Sequence, residues 1–451
     1  MTDLPDVILS GAKNLSSIKN KNRSYIMITQ EENALLTEVG RGKPAGELLR
    51  RYWQPVALSE ELPVGGAPLP VRVLGEDLVL FRDDKGRPGL LGKHCSHRGT
   101  DLSFGRVEDG GLRCLYHGWL YDINGRCLEQ PGEPGGGEHR DAIRHPAYPC
   151  EEKSGAIFTY MGSGEPSLLP DYEFLGVPSD HRLVCKIFHE CNYLQANEGN
   201  IDPVHLSYLH RFFEVPQNRY AGVRNTEDSH YSLVATDVAP TIDVELTDFG
   251  VRIYTVRKQP GEKVYLRVSY FILPNLSAFP GQTGGEGYTV NWHVPIDDTH
   301  HWKYMFVFSR EAPLDKTMIQ RERSEMTPDF KLVRNNSNRF QQDRESMMTQ
   351  TYSGMGHGFQ AHDVFATSSQ GAIQDRTQEH VVSSDKAIVA ARKLMVKAIR
   401  DIQDGGEPPH VVRDPAQNRF PHLQVISDLI PGTTDIKQHT RKIEAEARAR
   451  S

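Results

Sequence analysis

The chain has 451 residues, 38% hydrophobic and 25% charged, a balance that excludes a mostly disordered polypeptide and leaves room for two or three cored domains. Its formal charge is −7 and no Lys/Arg block stands out, which argues against nucleic acid as a partner. No apolar run approaches the roughly 18 residues of a membrane-spanning helix, no secretory pattern opens the sequence, and six scattered cysteines argue against a disulfide framework, so a reducing cytoplasm is the expected location.

Residues 1–26 are polar, include the basic run from Lys19 to Arg23, show no helical or strand period, and read as a flexible extension. A helix is expected within 27–51, because Thr29 and Glu32 stand at capping-box spacing ahead of Leu35, Leu36 and Val39, with Gly40 as its stop. From Tyr52 to about residue 162 the pattern is short strands and tight turns. Strands at 71–74 and 78–81 flank the turn at 75–77, further turns fall at 83–86 and 124–125, and 132–137 is a glycine-rich loop. This region reads as a small all-β sandwich. A linker at 162–166 leads into a larger unit, 163–432, with strands expected at 182–188, 265–271, 288–292 and 302–308. Its last helix is expected from Asp385 to Asp404, with an apolar stripe of Ile388, Ala391, Leu394, Met395, Ala398 and Ile402, ended by Gly405 and Gly406. The fold class is therefore α+β: an all-β domain followed by an antiparallel sheet wrapped around one long C-terminal helix, a helix-grip with a deep pocket. Residues 433–451 read as a charged, peripheral tail.

Two loops in the all-β region carry the first chemistry. One reads Cys95-Ser-His97-Arg98-Gly99 and the other Cys114-Leu-Tyr-His117-Gly118-Trp119. Each offers one thiolate and one imidazole, a set that suits zinc or an iron–sulfur centre. Zinc-finger spacing pairs Cys with Cys and His with His, so the order Cys, His, Cys, His favours a Rieske [2Fe–2S] cluster, with two Cys on one iron and two His on the other. The glycine after each histidine allows positive φ or a close backbone approach. This stretch resembles the Rieske motif of ring-hydroxylating oxygenases, which by itself implies electron transfer only.

The second feature runs from Asn192 to His210 and contains Asp202-Pro203-Val-His205 and, five residues further on, His210. Asp202 and His205 share a helix face. His205 and His210 would lie about 140° apart on a regular helix, so joint ligation needs an irregular backbone, for which Pro203 supplies the cause. Two His and one carboxylate form the facial triad of non-heme Fe(II) oxygenases. Alone, the histidine pair would read as structural; after a Rieske motif it gives the relay a destination. Asp202 also reads as a helix N-cap before Pro203.

Asp-x-x-His-x-x-x-x-His downstream of a Rieske motif resembles the α subunit of Rieske non-heme iron oxygenases, and the flanking residues 192–202 are similar to the phthalate dioxygenase and aromatic O-demethylase branch. The resemblance covers about residues 27–430. It implies that Cys95, His97, Cys114 and His117 hold the [2Fe–2S] cluster and that His205 and His210 bind a mononuclear Fe(II). It also implies that Asp202 bridges to His117 of a neighbouring subunit, and that the subunits assemble head-to-tail as a homotrimer or hexamer. Glu198 falls where naphthalene-type enzymes have an Asn near the iron. The stretch Gln360-Ala-His362-Asp363, followed by Gln370-Gly371 and Asp375-Arg376-Thr-Gln-Glu379-His380, resembles the branch's region of the carboxylate ligand. Asp363 is the favoured third ligand, with Asp375 and Asp343 as alternatives. Asp375 and Arg376 are expected to pair with each other, and Asp297 and Asp298 to bond backbone in a turn.

No Gly-x-Gly-x-x-Gly follows a predicted strand, so electrons must come from a separate reductase, with or without a ferredoxin. The branch acts on carboxylated or methoxylated aromatics. A substrate carboxylate calls for Arg211, Arg252 or Arg267, and Tyr208, Phe271 and Phe306 could line the cavity or pack the core. Similarity of the C-terminal segment to the dehydrodivanillate O-demethylase subgroup implies O-demethylation of a lignin-derived methoxylated aromatic acid. Hydroxylation or cis-dihydroxylation of a phthalate-like acid is the alternative within the class, and a Rieske electron-transfer protein without catalysis the alternative outside it.

Overall fold

The computed structural model describes residues 28–213, 223–281, 287–315, 317 and 325–450, so the expected extension 1–26 lies outside the described residues. Thr29 opens helix α1 (Gln30–Thr37): its hydroxyl accepts from the Glu32 amide at 3.1 Å, and the Glu32 carboxylate accepts from the Thr29 amide at 3.3 Å. Helix α2 (Pro44–Arg50) starts on a proline, whose missing N–H costs nothing at a first turn.

Eleven short strands follow: β1 (Gln54–Leu58), β2 (Leu69–Val73), β3 (Glu76–Arg82), β4 (Pro88–Gly92), β5 (Arg106–Glu108), β6 (Gly111–Arg113), β7 (Leu120–Tyr121), β8 (Cys127–Glu129), β9 (Ala147–Tyr148), β10 (Cys150–Lys153) and β11 (Ala156–Thr159). They form three antiparallel sheets, ordered β1-β11-β10, β2-β3-β4-β9 and β5-β6-β7-β8. The loops with Cys95 and Cys114 leave β4 and β6, and both cysteines are buried with Val79, Phe81, Leu91, Leu112 and Tyr121.

The larger unit is built on β12 (Arg182–His189), helix α3 (Tyr193–Asn200), helix α4 (His230–Thr236), β13 (Thr241–Leu246), β14 (Gly250–Gln259), β15 (Lys263–Ile272), β16 (Leu276–Phe279), β17 (Thr289–Pro295) and β18 (His301–Phe308). Helices α5 (Phe359–Ser368) and α6 (Lys386–Gln403), strand β19 (Ile426–Pro431) and helix α7 (Ile436–Arg450) complete it. Its eight-stranded antiparallel sheet runs β12-β18-β17-β16-β15-β14-β13, with β19 on the first half of β15. The register separates two faces. Leu183, Met305, Asn291, Ser277, Ser269 and Thr255 point to one side, where α3 and α5 lie. Trp292, Tyr304 and Phe306 point to the other, where Phe158 of β11 meets Trp292 at 5.5 Å and Phe306 at 6.4 Å between ring centroids.

Of the stripe expected on helix α6, Ala391, Met395 and Ala398 are buried and Ile388, Leu394 and Ile402 pack half-buried against the core; Ala387 and Ile399, outside that stripe, are buried as well. Residues 433–451, expected as a peripheral tail, instead hold α7, docked by Ile443 in the core and by Glu444, which pairs with the buried Arg252. No helix among the described residues is long and apolar enough to cross a membrane.

Candidate metal centres

The two ligand loops of the all-β domain are built alike. The Cys95 amide donates to the Thr100 carbonyl at 2.9 Å and the Gly99 amide to the Cys95 carbonyl at 2.8 Å; the Cys114 amide donates to Trp119 at 2.8 Å and Gly118 to Cys114 at 3.1 Å. Gly99 and Gly118 sit at φ 77° and 76°, a conformation that disfavours other residues. The turns bring the His97 and His117 rings to 4.5 Å between centroids, and Trp119 stacks on His97 at 4.5 Å. His97 Nδ1 is buried without a hydrogen-bond partner among the described residues. Burial pushes the Cys114 thiol up, and the adjacent Cys95 adds to the effect. A buried ring nitrogen without a partner and two buried, interacting thiols are costly groups that cluster iron would relieve, so the residues fit a Rieske centre.

In the larger domain, α3 ends at Asn200 and the backbone then becomes irregular; only a short 3-10 turn, His205–Ser207, follows. This break after Pro203, with Asp202 Oδ1 accepting from the Val204 amide at 2.8 Å, turns His205 and His210 toward each other, their rings 5.1 Å apart. Asp363 enters from α5. The ligand atoms of His205, His210 and Asp363 all lie within 4.8 Å of one another. His205 Nδ1 donates to the Asp202 carbonyl at 2.5 Å, which leaves Nε2 bare. His362 Nε2 donates to the Gly356 carbonyl at 3.0 Å, so its Nδ1 accepts from His210 Nδ1 at 3.3 Å and leaves His210 Nε2 bare as well. That nitrogen lies 2.8 Å from Asp363 Oδ1. Two lone pairs so close repel unless a cation or proton lies between them, and a facial set of two His and one carboxylate suits Fe(II). Burial alone would raise the Asp363 carboxyl; His210, Lys303 and His205 hold it well below the usual carboxylate range.

The triad opens into a cavity of about 140 Å³, a volume that holds a single aromatic ring. Its walls include Phe212, Tyr231, Phe279, Phe359, Asn291 and Arg267. Arg267 is buried, donates to Pro280 O at 3.3 Å, and lies 2.8 Å from His230 Nδ1 and 3.2 Å from the Tyr265 hydroxyl. Among the described residues it has no carboxylate partner. Nearby Arg257, also without one, donates to Pro203 O at 2.8 Å; burial and Arg267 push its guanidinium down to about 10.

Several expectations are corrected. Glu198 does not face the triad; it is buried against Arg376 and Arg392. Arg376 therefore pairs with Glu198 and not with Asp375, which caps the turn at Thr377. Asp343 accepts from the Glu345 and Ser346 amides and is not in the triad. Arg252 points to the other sheet face, into Glu245 and Glu444. Arg211 stays exposed at the cavity. Tyr208 is exposed against Tyr352, and Phe306 packs on Phe158 and Phe174, because adjacent positions on a strand face opposite sides. Phe271 belongs to the core. Asp297 and Asp298 bond turn and α1-end backbone as expected. Sequence reasoning missed His362 and Arg257. Only adjacency to Asp363 hinted at the first, and nothing local marked the second.

Residues 52–147 match the Rieske [2Fe-2S] domain, and residues 159–451 match the LigXa C-terminal domain like family. Phthalate 4,5-dioxygenase oxygenase subunit of Pseudomonas putida is 35% identical over 84% of this chain and 88% of its own. The 5,5'-dehydrodivanillate O-demethylase oxygenase subunit of a Sphingobium species is 31% identical over 89% and 87%. In fold, the terminal oxygenase of carbazole 1,9a-dioxygenase from Novosphingobium sp. KA1 superposes with a TM-score of 0.56 at 20% identity, covering 83% of this chain and 96% of that one. Donor residues, fold and relatives agree: the chain belongs to the Rieske non-heme iron oxygenases, as a terminal oxygenase α subunit with a [2Fe–2S] domain and a mononuclear-iron catalytic domain.

Proposed function

We propose that the chain oxidises a single-ring aromatic acid, by O-demethylation of a methoxyl group, with O2 and electrons from a separate reductase or ferredoxin. The observation that carries this reading is Arg267, a buried cation in the wall of the triad's own cavity with no carboxylate partner among the described residues. A substrate carboxylate completes that charge, and the cavity volume matches one ring. In this reading Cys95, His97, Cys114 and His117 hold the cluster, and His205, His210 and Asp363 hold Fe(II), which supplies O2 activation when bound. His362 and the Asp202 carbonyl fix which imidazole nitrogens face the metal. The Asp202 side chain, partly exposed, bridges to His117 of the neighbouring subunit in a homotrimer or hexamer. We place the domain boundary near residue 162 and the enzyme in the cytoplasm. Solved complexes of carbazole 1,9a-dioxygenase oxygenase with ferredoxin support a ferredoxin-type donor.

Hydroxylation of the methyl group gives a hemiacetal that releases formaldehyde and leaves a phenol. Formaldehyde released in step with O2 uptake from 3-methoxybenzoates is the expected result. The phthalate 4,5-dioxygenase relative favours a second reading, ring hydroxylation of a phthalate-like acid; O2 uptake with phthalates and no formaldehyde from any methoxybenzoate would establish that reading instead.

A further inference from the structure

A row of buried polar side chains runs along the sheet into the cavity. It begins at the Cys191 carbonyl, 2.8 Å from His301 Nδ1. His301 Nε2 is 3.1 Å from His293 Nδ1, and His293 Nε2 is 2.8 Å from the Asn200 carboxamide. The same end of that carboxamide lies 2.7 Å from the Asn291 carboxamide and 3.2 Å from Ser277 Oγ. His293 and His301 are fully buried with the Lys303 cation beside them, and both are held neutral.

The chemistry of the chain sets its direction. A carbonyl only accepts, so His301 carries its proton on Nδ1 and has a bare Nε2. His293 must donate to that nitrogen from Nδ1, which leaves its own Nε2 bare. Asn200 must then turn an N–H toward His293, since a carbonyl there would set two lone pairs 2.8 Å apart. A half-turn of a carboxamide exchanges its oxygen and nitrogen, so the Asn200 carbonyl faces the cavity, whose wall this residue forms. Its second N–H reaches Asn291, which answers with its carbonyl and turns its NH2 to the outer position. That outer end of Asn291 is buried and has no partner among the described residues, and Asn291 lies in the cavity wall.

The wall therefore offers one acceptor and one donor side by side. We infer that Asn200 and Asn291 form a subsite that reads a ring hydroxyl, donating to the Asn200 carbonyl and accepting from the Asn291 NH2, at the end of the cavity away from Arg267. Register supports the separation. Asn291 lies level with Phe271, two strands from β15, and Arg267 is four residues further along, which is about 10 Å across and about 13 Å along the sheet. A methoxyl at the subsite accepts but cannot donate, and it leaves the Asn200 carbonyl unpaired. The preferred substrate is thus a hydroxylated aromatic acid, a conclusion that rests on the aromatic-acid reading above.

The test compares 4-hydroxy-3-methoxybenzoate with 3,4-dimethoxybenzoate, by formaldehyde release with a surrogate reductase and by dissociation constants from tryptophan quenching of the iron-loaded oxygenase. We expect the hydroxy acid to be favoured about 10- to 100-fold in kcat/KM and at least fivefold in Kd. Asn200→Ala and Asn291→Ala should each cut that preference at least fivefold. A wild-type preference below fivefold in Kd overturns the subsite, as does an undiminished preference in both variants. If neither acid yields formaldehyde, the demethylation reading falls while the subsite stands or falls on the wild-type Kd ratio alone. That ratio also decides the matter should the variants fail to fold.

Discussion

Replacement of Glu198 by Gln tests whether this carboxylate is a structural keystone or an iron-side group. Glu198 accepts from Arg392 Nε at 2.6 Å and Nη2 at 3.0 Å, and from Arg376 Nη2 at 3.0 Å. Arg392 also pairs with Glu379 at 2.5 Å, and Arg376 donates to Asn33 at 3.1 Å, so the cluster ties α1, α3 and α6 together. Burial would raise the Glu198 carboxyl, but the two guanidiniums pull it from its ordinary 4.5 to about 2. At about 1.4 kcal/mol per tenfold change in proton affinity, that displacement is worth about 3 kcal/mol. The folded-state pKa is depressed, so this stability is complete above about pH 4.5 and is lost as pH falls toward 2. Glu198→Gln removes it and leaves Arg392 with Glu379 and the buried Arg376 with only the Asn33 carboxamide among the described residues, for a loss of about 3–5 kcal/mol at pH 7 and a fall of about 3–5 °C in Tm. Urea unfolding of both proteins between pH 7 and pH 3 measures it, and the gap between them should narrow below pH 4.5. A gap under about 1 kcal/mol at pH 7, or one that does not change with pH, refutes the reasoning. Loss of iron without loss of stability would instead return Glu198 to the iron.

Asp202→Asn should retain both metals and abolish product formation; unchanged single-turnover yield removes the bridging role. His362→Phe, which takes away the acceptor for His210 Nδ1, should weaken mononuclear iron binding about 10- to 100-fold while the [2Fe–2S] absorbance stays constant. Iron titration after chelation measures this, and undiminished affinity shows that the ring pairing is idle. Arg267→Met should raise KM for aromatic acids about 10-fold or more and leave KM for the corresponding amides little changed. Equal effects on acid and amide would mean that Arg267 serves packing only.

Much of this molecule was legible in the sequence because the decisive groups are local. Cysteine and histidine in each cluster loop are two or three residues apart, and the backbone bonds of each loop close over five or six residues. Pro203 announced the irregular backbone that aims His205 and His210, and the stripe of α6 announced its buried face. Asp363 needed the family resemblance, since nothing near it in sequence points to His210, 153 residues away. Other features were hidden because their partners are distant. Arg376 finds Glu198 across 178 positions and bypasses its neighbour Asp375. Alternation in 302–308 predicted a strand but not which face meets the cavity; Phe306 packs the core, as one of its two expected roles, and Met305 and Val307 line the cavity. The charged α7 docks because Ile443 enters the core and Glu444 meets Arg252 on the sheet, partners far away in sequence.

A single apolar core joins the two domains: Leu58, Leu78, Phe158, Trp292, Phe306, Ala391 and Met395 all belong to it. The all-β domain is thus packed onto the catalytic domain through β1, β3 and β11, without a tether between them. In the inter-subunit reading proposed above, the gap the electron crosses is then set by how the subunits stack and not by a moving arm. Severing the chain near residue 162 would strip the cover from Phe158 and Trp292 alike, leaving two sticky halves in place of two working modules.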